Sequence, residues 1–213
     1  MHSLFRRKTY AALKKINLSG SIIDLGGTHN ADYHKIIGGS FTISTINIEP
    51  TANPTIVADL EQPLKINDAA YDGAILMNVL EHIYHHQQLV NETWRILKPD
   101  GIALGVAPFL FPIHPSPNDF FRFTDHALEK IFSDAGFIDI KVTPIGAGVM
   151  KTRHLMIGRL LPRFASAILE IPLSWYAELT DILLSKIARI ADKNYSSDFY
   201  PLGYLIEAKK PKI

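Results

Sequence analysis

The chain has 213 residues, 47% of them apolar, and a formal charge of +1. That is enough apolar length for one domain with a full core, residues 1–213, and the near-neutral balance excludes a dedicated nucleic-acid binder. Cysteine is absent, which excludes disulfides and thiolate metal sites and gives no sign of an oxidising compartment.

In chain order, residues 1–18 hold a short basic helix with Arg6, Arg7, Lys8, Lys14 and Lys15. No apolar stretch follows it, so a cleaved signal peptide is not expected. No uncharged run reaches the roughly 18–20 residues that a spanning helix needs. A cytoplasmic location is therefore expected, in which the sequons at Asn17, Asn91 and Asn194 carry no meaning.

Strands are predicted at residues 21–25 (SIIDL), 42–48 (TISTINI), 55–58 (TIVA), 71–78 (YDGAILMN), 102–107 (IALGVA), 137–143 (FIDIKVT) and 203–208 (GYLIEA). These runs are nearly continuous in apolar residues, as strands covered on both faces require. Helices are predicted between them at 30–37, at 82–97 with Leu89, Val90, Trp94 and Leu97 on one face, and at 127–135 after the N-cap Thr124. Strand alternating with helix gives an α/β fold with a Rossmann-like, doubly wound, mostly parallel sheet. Residues 150–195 form an apolar helical insertion before the last strand, punctuated by Pro162 and Pro172.

Ligands bind such sheets beyond the carboxyl ends of the strands. Polar or glycine residues stand at those ends: Asp24, Gly26 and Gly27, then Glu49, then Asp59 and Leu60, then Asn78. The glycines allow a tight turn and close backbone approach to a ligand. Glu49 is spaced from Asp24 like an acid that accepts from ribose hydroxyls. Asp59 is placed to accept from an adenine amino group. Asp68 and Asp72 read as turn residues.

The order of these features resembles the class I S-adenosylmethionine-dependent methyltransferases, in particular the type 11 group, over residues 20–143. The first motif is SIIDLGGTHN (21–30), the acidic strand end INIEP (46–50), and the adenine segment VADL (57–60). The most specific part is YDGAILMNVLEHI (71–83) followed by RILKPDG (95–101). The resemblance implies S-adenosylmethionine as cofactor, surrounded by Asp24, Gly26, Glu49, Asp59 and Asn78. The family's glycines two, four and six residues after the acid are here Gly26, Thr28 and Asn30, with Gly27 added. The spacing G-x-G-x-x-G is not met, which disfavours a dinucleotide reductase.

The loop PFLFPIHPSPNDFFRFT (108–124) follows a strand end and holds the candidate catalytic residues His114, Asp119 and Arg122. An imidazole titrating near neutrality suits a general base, and Arg122 is placed to hold an acidic or polyhydroxyl acceptor. The competing reading makes Asp119 and Arg122 a structural ion pair. His82 and His86 stand one helical turn apart, but H-E-x-x-H is absent, so no metal is expected and Glu81 is read as a partner of the helix dipole.

Basic residues also recur at Lys151, Arg153, Arg159 and Arg163 beside Leu155, Met156, Leu160 and Leu161. Three roles stay open for the insertion: a lid over the acceptor, a homodimer interface, or peripheral membrane contact. The expected function is methyl transfer to an oxygen or nitrogen of a small molecule or glycan intermediate. The alternative is a non-catalytic binding or scaffold protein that keeps the fold with an altered glycine motif.

Overall fold

A computed structural model describes residues 3–158 and 162–212, with the backbone alone for 163–167. Arg159, Leu160, Leu161 and the side chain of Arg163, all part of the second basic stretch, lie outside the described residues.

The strands are β1 (Asn17–Leu25), β2 (Gly38–Asn47), β3 (Ile56–Val57), β4 (Tyr71–Met77), β5 (Leu97–Pro108), β6 (Ile138–Ile145) and β7 (Gly203–Lys209). They form one sheet of order β3-β2-β1-β4-β5-β7-β6. All pairings are parallel except those of β7, which runs antiparallel to β5 and β6. This is the doubly wound sheet expected from the apolar runs.

Neighbouring side chains on a strand go to opposite faces, and the core divides accordingly. Ile23, Leu76 and Ala103 pack with α2 (His86–Ile96) and α3 (Asp125–Asp134). Ile22, Ile75 and Leu104 pack with α1 (Leu4–Leu13) and α4 (Val149–Gly158). Thr124 caps α3 as expected, its hydroxyl accepting from the Ala127 amide at 3.2 Å.

Two predicted helices are shorter than expected. The segment read as a helix over 30–37 is a single 3-10 turn, Asp32–Lys35. Tyr33 and Ile36 of this crossover pack in the same core cluster as α1. The helix read from 82 begins at His86, after a separate 3-10 turn at Leu80–His82. The carboxylate of Glu61 accepts from the Tyr84 and His85 amides (2.5 and 3.1 Å), which fixes the chain short of a helix there. Glu81 therefore does not sit in the first turn of α2.

Helix α5 (Arg163–Ala191) is turned inside out. Ser174, Ala177 and Asp181 are buried, while Ile168, Trp175, Leu179 and Ile190 are exposed. Asp181 accepts from the Met150 and Lys151 amides at 2.8 and 3.0 Å, capping α4. The basic helix α1 is answered from the same element: Arg7 pairs with Glu170 at 3.4 Å and Lys8 with Glu178 at 2.6 Å. No helix among the described residues is long and apolar enough to cross a membrane.

Arg95 ties the connection before β4 to α2. Its five N–H groups reach Glu92 twice (2.9 and 2.8 Å), Ile66 O (2.7 Å), Asp68 (2.6 Å) and Leu64 O (3.0 Å). Lys98 bridges both oxygens of Asp72, at 2.9 and 3.0 Å, and Asp72 accepts from the Ser21 amide at 2.8 Å. Asp68 and Asp72 are thus ion-pair partners, not simply turn residues.

Arg95 holds the Glu92 carboxyl below its ordinary range. A depressed folded-state pKa stabilises above the unfolded value of about 4.3 and is lost as pH falls through the folded value. Arg95→Met is expected to lower stability by on the order of 2–3 kcal/mol at neutral pH. It should also flatten the acid limb of stability against pH, checked by urea unfolding between pH 3 and 7.

Candidate active site

The parallel register sets β1 beside β4, with Asp24 opposite Ile75. Their ends, Gly26 and Asn78, consequently meet. The Gly26 amide donates to Ile46 O and the Asn78 amide to Val106 O, both at 2.8 Å, so each end is tied to the next strand.

Gly26 has φ of +89°, and a Cβ there would stand 2.8 Å from Val79 Cγ2. At Gly27 a Cβ would fall 1.9 Å from Asp24 Oδ2. The added glycine is therefore required by Asp24 beneath it. Asp24 itself is fully buried and lines neither cavity described below. Its Oδ2 accepts from Tyr33 Oη at 2.6 Å and faces His34 Nε2 at 2.7 Å. Burial and the Asp24 charge push the Tyr33 phenol well above its usual pKa, so it stays a donor. Asp24, expected around the cofactor, supports the turn from below.

Two cavities meet at Gly26 and Asn78. One, of about 510 Å³, is lined by Glu49, Asp59, Leu60, Asn78 and His82 among others. The second, of about 670 Å³, is lined by Gly27, Thr28, Tyr10, Arg6, Phe111 and His114 among others. Both lie in the range of small-molecule sites. Glu49 is exposed, and its carboxylate has no hydrogen bond or ion pair among the described residues. Asp59 accepts from the Glu61 amide at 2.9 Å through one oxygen.

Sequence reasoning passed over Asn47, which lay inside an apolar-looking strand. Its side-chain amide donates to Gly26 O and Gly27 O at 3.1 and 3.2 Å, and its oxygen accepts from the Glu49 amide at 3.0 Å. One side chain thus joins the glycine turn to the acidic strand end. Also unforeseen was α1, which covers the larger cavity. None of the described residues of α4 or α5 lines either cavity.

The loop after β5 is held by Arg122. Its Nε donates to Phe111 O at 3.2 Å, Nη1 to Asp119 and to Phe121 O (2.7 Å), and Nη2 to Pro112 O (3.1 Å) and Asp119 (2.6 Å). All five donors are engaged, leaving none for an acceptor. Asp119 also accepts from the His114 amide at 2.8 Å, and Arg122 holds its carboxyl far below the usual range. Of the three candidates, Asp119 and Arg122 form the structural pair, and His114 alone lines a cavity.

His114 Nε2 faces Glu81 Oε1 at 3.5 Å, and His82 Nε2 faces the same oxygen at 3.7 Å. The Glu81 carboxylate beside it raises the His114 pKa, against the opposing effect of burial. His86 is directed elsewhere: its ring packs edge-on against Phe121 and Phe123 at 4.7 and 5.0 Å, and burial lowers its pKa. The pairing of His82 with His86 suggested by their spacing does not occur.

Residues 39–105 match the family model described as a methyltransferase domain. The match covers β2 to β5 and begins after the glycine turn. No curated protein matches the chain in sequence. Phosphoethanolamine N-methyltransferase 2 of Haemonchus contortus, solved with S-adenosyl-L-methionine, superposes with a TM-score of 0.58 at 16% identity over 95% of this chain. The chain spans 52% of that protein's length. An S-adenosylmethionine-dependent methyltransferase from Mesorhizobium loti gives 0.60 at 15% identity, covering 98% of this chain and 100% of that one. The [4+2]-cyclase SpnF also gives 0.60, at 17% identity over 97% of this chain and 81% of its own.

The Gly27→Ala variant is expected to open the turn away from Asp24, costing about 1–3 kcal/mol by overpacking. Thermal unfolding should show the loss, and Asn47→Ala should lower the melting temperature in the same direction. The matched segment and these superpositions show that the chain has the fold of the class I S-adenosylmethionine-dependent methyltransferases.

Proposed function

We propose that the chain is an S-adenosylmethionine-dependent methyltransferase acting on an oxygen or nitrogen of a polar small molecule or glycan intermediate. The observation that carries this reading is the pair of cavities meeting at Gly26 and Asn78. One has the free carboxylate of Glu49 and the other has His114. The cofactor, when bound, supplies a methyl group already activated on a sulfonium.

The chain's own residues would then divide the work. Glu49 accepts from the ribose hydroxyls and Asp59 from the adenine amino group, with Leu60 against the ring. Gly26 and Gly27 admit the cofactor close to the backbone. The larger cavity receives the acceptor among Arg6, Tyr10, Phe111 and His114. Alignment of acceptor and methyl donor is the main contribution, worth up to about 7–11 kcal/mol in the best cases. His114 stands where an acceptor proton is lost.

Glu49→Ala is expected to weaken S-adenosylmethionine binding about tenfold or more without lowering the melting temperature. Calorimetric titration checks this, and unchanged affinity removes Glu49 from the site. His114→Ala is expected to lower turnover roughly 10²–10⁴-fold with little change in cofactor affinity. Failure of the native chain to bind S-adenosylmethionine at millimolar concentration would favour the scaffold alternative instead.

The exposed apolar residues of α5 support a second copy of the chain as partner, joined through Trp175 and Leu179. Light scattering is expected to give a dimer for the native chain and a monomer for Leu179→Glu. A native monomer that floats with lipid vesicles would assign the face to a membrane surface instead.

A further inference from the structure

Glu81 is fully buried, and neither of its carboxylate oxygens accepts a hydrogen bond among the described residues. A buried carboxylate without partners is costly, so some cation is owed to this position. The groups that face it are two imidazoles, His82 and His114, whose Nε2 atoms stand 3.7 and 3.5 Å from the same oxygen.

Those separations exceed a good hydrogen bond of 2.7–3.2 Å. They match instead the span between two ligands of one ion. Bonds of about 2.0–2.2 Å in a tetrahedral shell leave ligand atoms about 3.3–3.5 Å apart. The three ligand atoms all lie within 4.8 Å of one another.

The far sides of both rings are also arranged for this. His82 Nδ1 meets Asn118 O at 2.6 Å. His114 Nδ1 lies 3.2 Å from Pro112 O and 3.3 Å from Asp119 Oδ2. A carbonyl can only accept, so the Nδ1 of His82 is the protonated nitrogen when the ring is neutral, while the Nδ1 of His114 faces these two acceptors and also Arg122 Nη2 at 3.5 Å. The Nε2 lone pair of His82 is then free beside Glu81, and His114 Nε2 faces the same carboxylate oxygen. Histidine metal ligands are oriented by outer partners of this kind. Asp119 is in turn fixed by Arg122, which makes the support rigid.

We propose that Glu81, His82 and His114 bind one first-row divalent cation of the Zn²⁺ or Fe²⁺ type. Two imidazoles and a carboxylate suit such ions and not Mg²⁺ or Ca²⁺. His114 lines the larger cavity and His82 the smaller, so the site borders both. Three protein ligands leave a position for water or for an oxygen or nitrogen of the acceptor. The site goes beyond the methyltransferase reading and does not depend on it. An ion there would hold the His114 lone pair and would lower the pKa of a bound acceptor, whose proton would then pass to solvent and not to His114. Turnover of His114→Ala falls in either case, so turnover does not test the proposal.

The test is Co²⁺ titration of the tag-free full chain after dialysis against a chelator. One equivalent is expected to bind with visible absorption bands of four- or five-coordinate cobalt, and Zn²⁺ should displace it. Glu81→Gln and His82→Ala should each weaken binding at least 100-fold, while His86→Ala leaves it unchanged. Should either ligand variant fold poorly, Zn²⁺-induced shifts of the His82 and His114 ring resonances in the native chain give the same answer. Absence of stoichiometric Co²⁺ binding, or an affinity unaltered in Glu81→Gln, overturns the site. Calorimetry with S-adenosylmethionine on the stripped protein keeps the two readings apart. A stripped chain that binds the cofactor but no cation ends this inference alone.

Discussion

A parallel sheet covered on both faces has no room for polar side chains along its strands, and this constraint gathers the polar chemistry at the strand ends. The register of β1 against β4 brings Gly26 beside Asn78, and hydrogen bonds from those two amides to Ile46 and Val106 draw β2 and β5 into line. Apart from α1, which covers the larger cavity, much of what borders the two cavities follows these ends. Glu49 follows β2, Asn78 follows β4, and the loop with His114 follows β5. The crossover after β1 is shortened to one 3-10 turn, and its Tyr33 and Ile36 pack in the same core cluster as α1.

Among the polar groups around these ends, hydrogen-bond saturation separates support from availability. Arg95 and Arg122 each engage all five donors within the chain. Asp24 is buried yet met by Tyr33 and His34. These are fasteners. Glu49 and Glu81 each keep both carboxylate oxygens without a hydrogen bond among the described residues, one open to the smaller cavity and one enclosed behind two histidines. In the part of the sequence that most resembles the methyltransferases, residues 71–83 followed by 95–101, the second segment is thus mainly structural. It secures the chain before β4 and the start of β5, and the shared fold with a [4+2]-cyclase shows why such a run does not name a reaction.

Much of the sheet was legible because burial on both faces leaves a continuous apolar run, which survives in any one sequence. The strand ends were legible for the same reason, since a glycine or acid must interrupt the run there. What escaped depends on partners distant in the chain. The choice between an acceptor role and an ion pair with Asp119 stayed open for Arg122 because most of its acceptors are backbone carbonyls, which carry no side-chain signature. Asn47 was hidden in a β-branched stretch, although an asparagine at a strand end before an acid is a usable signal. Glu81 was read as a dipole partner because the helical pattern runs back to residue 82. Glu61, twenty residues upstream, stops the helix at His86 and so turns Glu81 inward. The His82–His86 spacing was a helical inference and failed with the helix start.

Helix α5 inverts the usual pattern, and its charges explain a feature of the other end of the chain. A surface helix ordinarily turns its apolar stripe inward. Here the inward residues are Ser174, Ala177 and Asp181, whose small size and polarity suit capping α4 and close approach. Glu170 and Glu178 meet Arg7 and Lys8, so part of the basic character of the N-terminus is answered inside the monomer. The charge that suggested attraction to an anionic surface is to that extent neutralised. What α5 presents outward is apolar: Trp175, Leu179, Ile182 and Ile190 are all more than half exposed. Contact through this element would therefore be driven by burial of apolar surface, with weak dependence on salt, and not by the basic residues that first drew attention to the region.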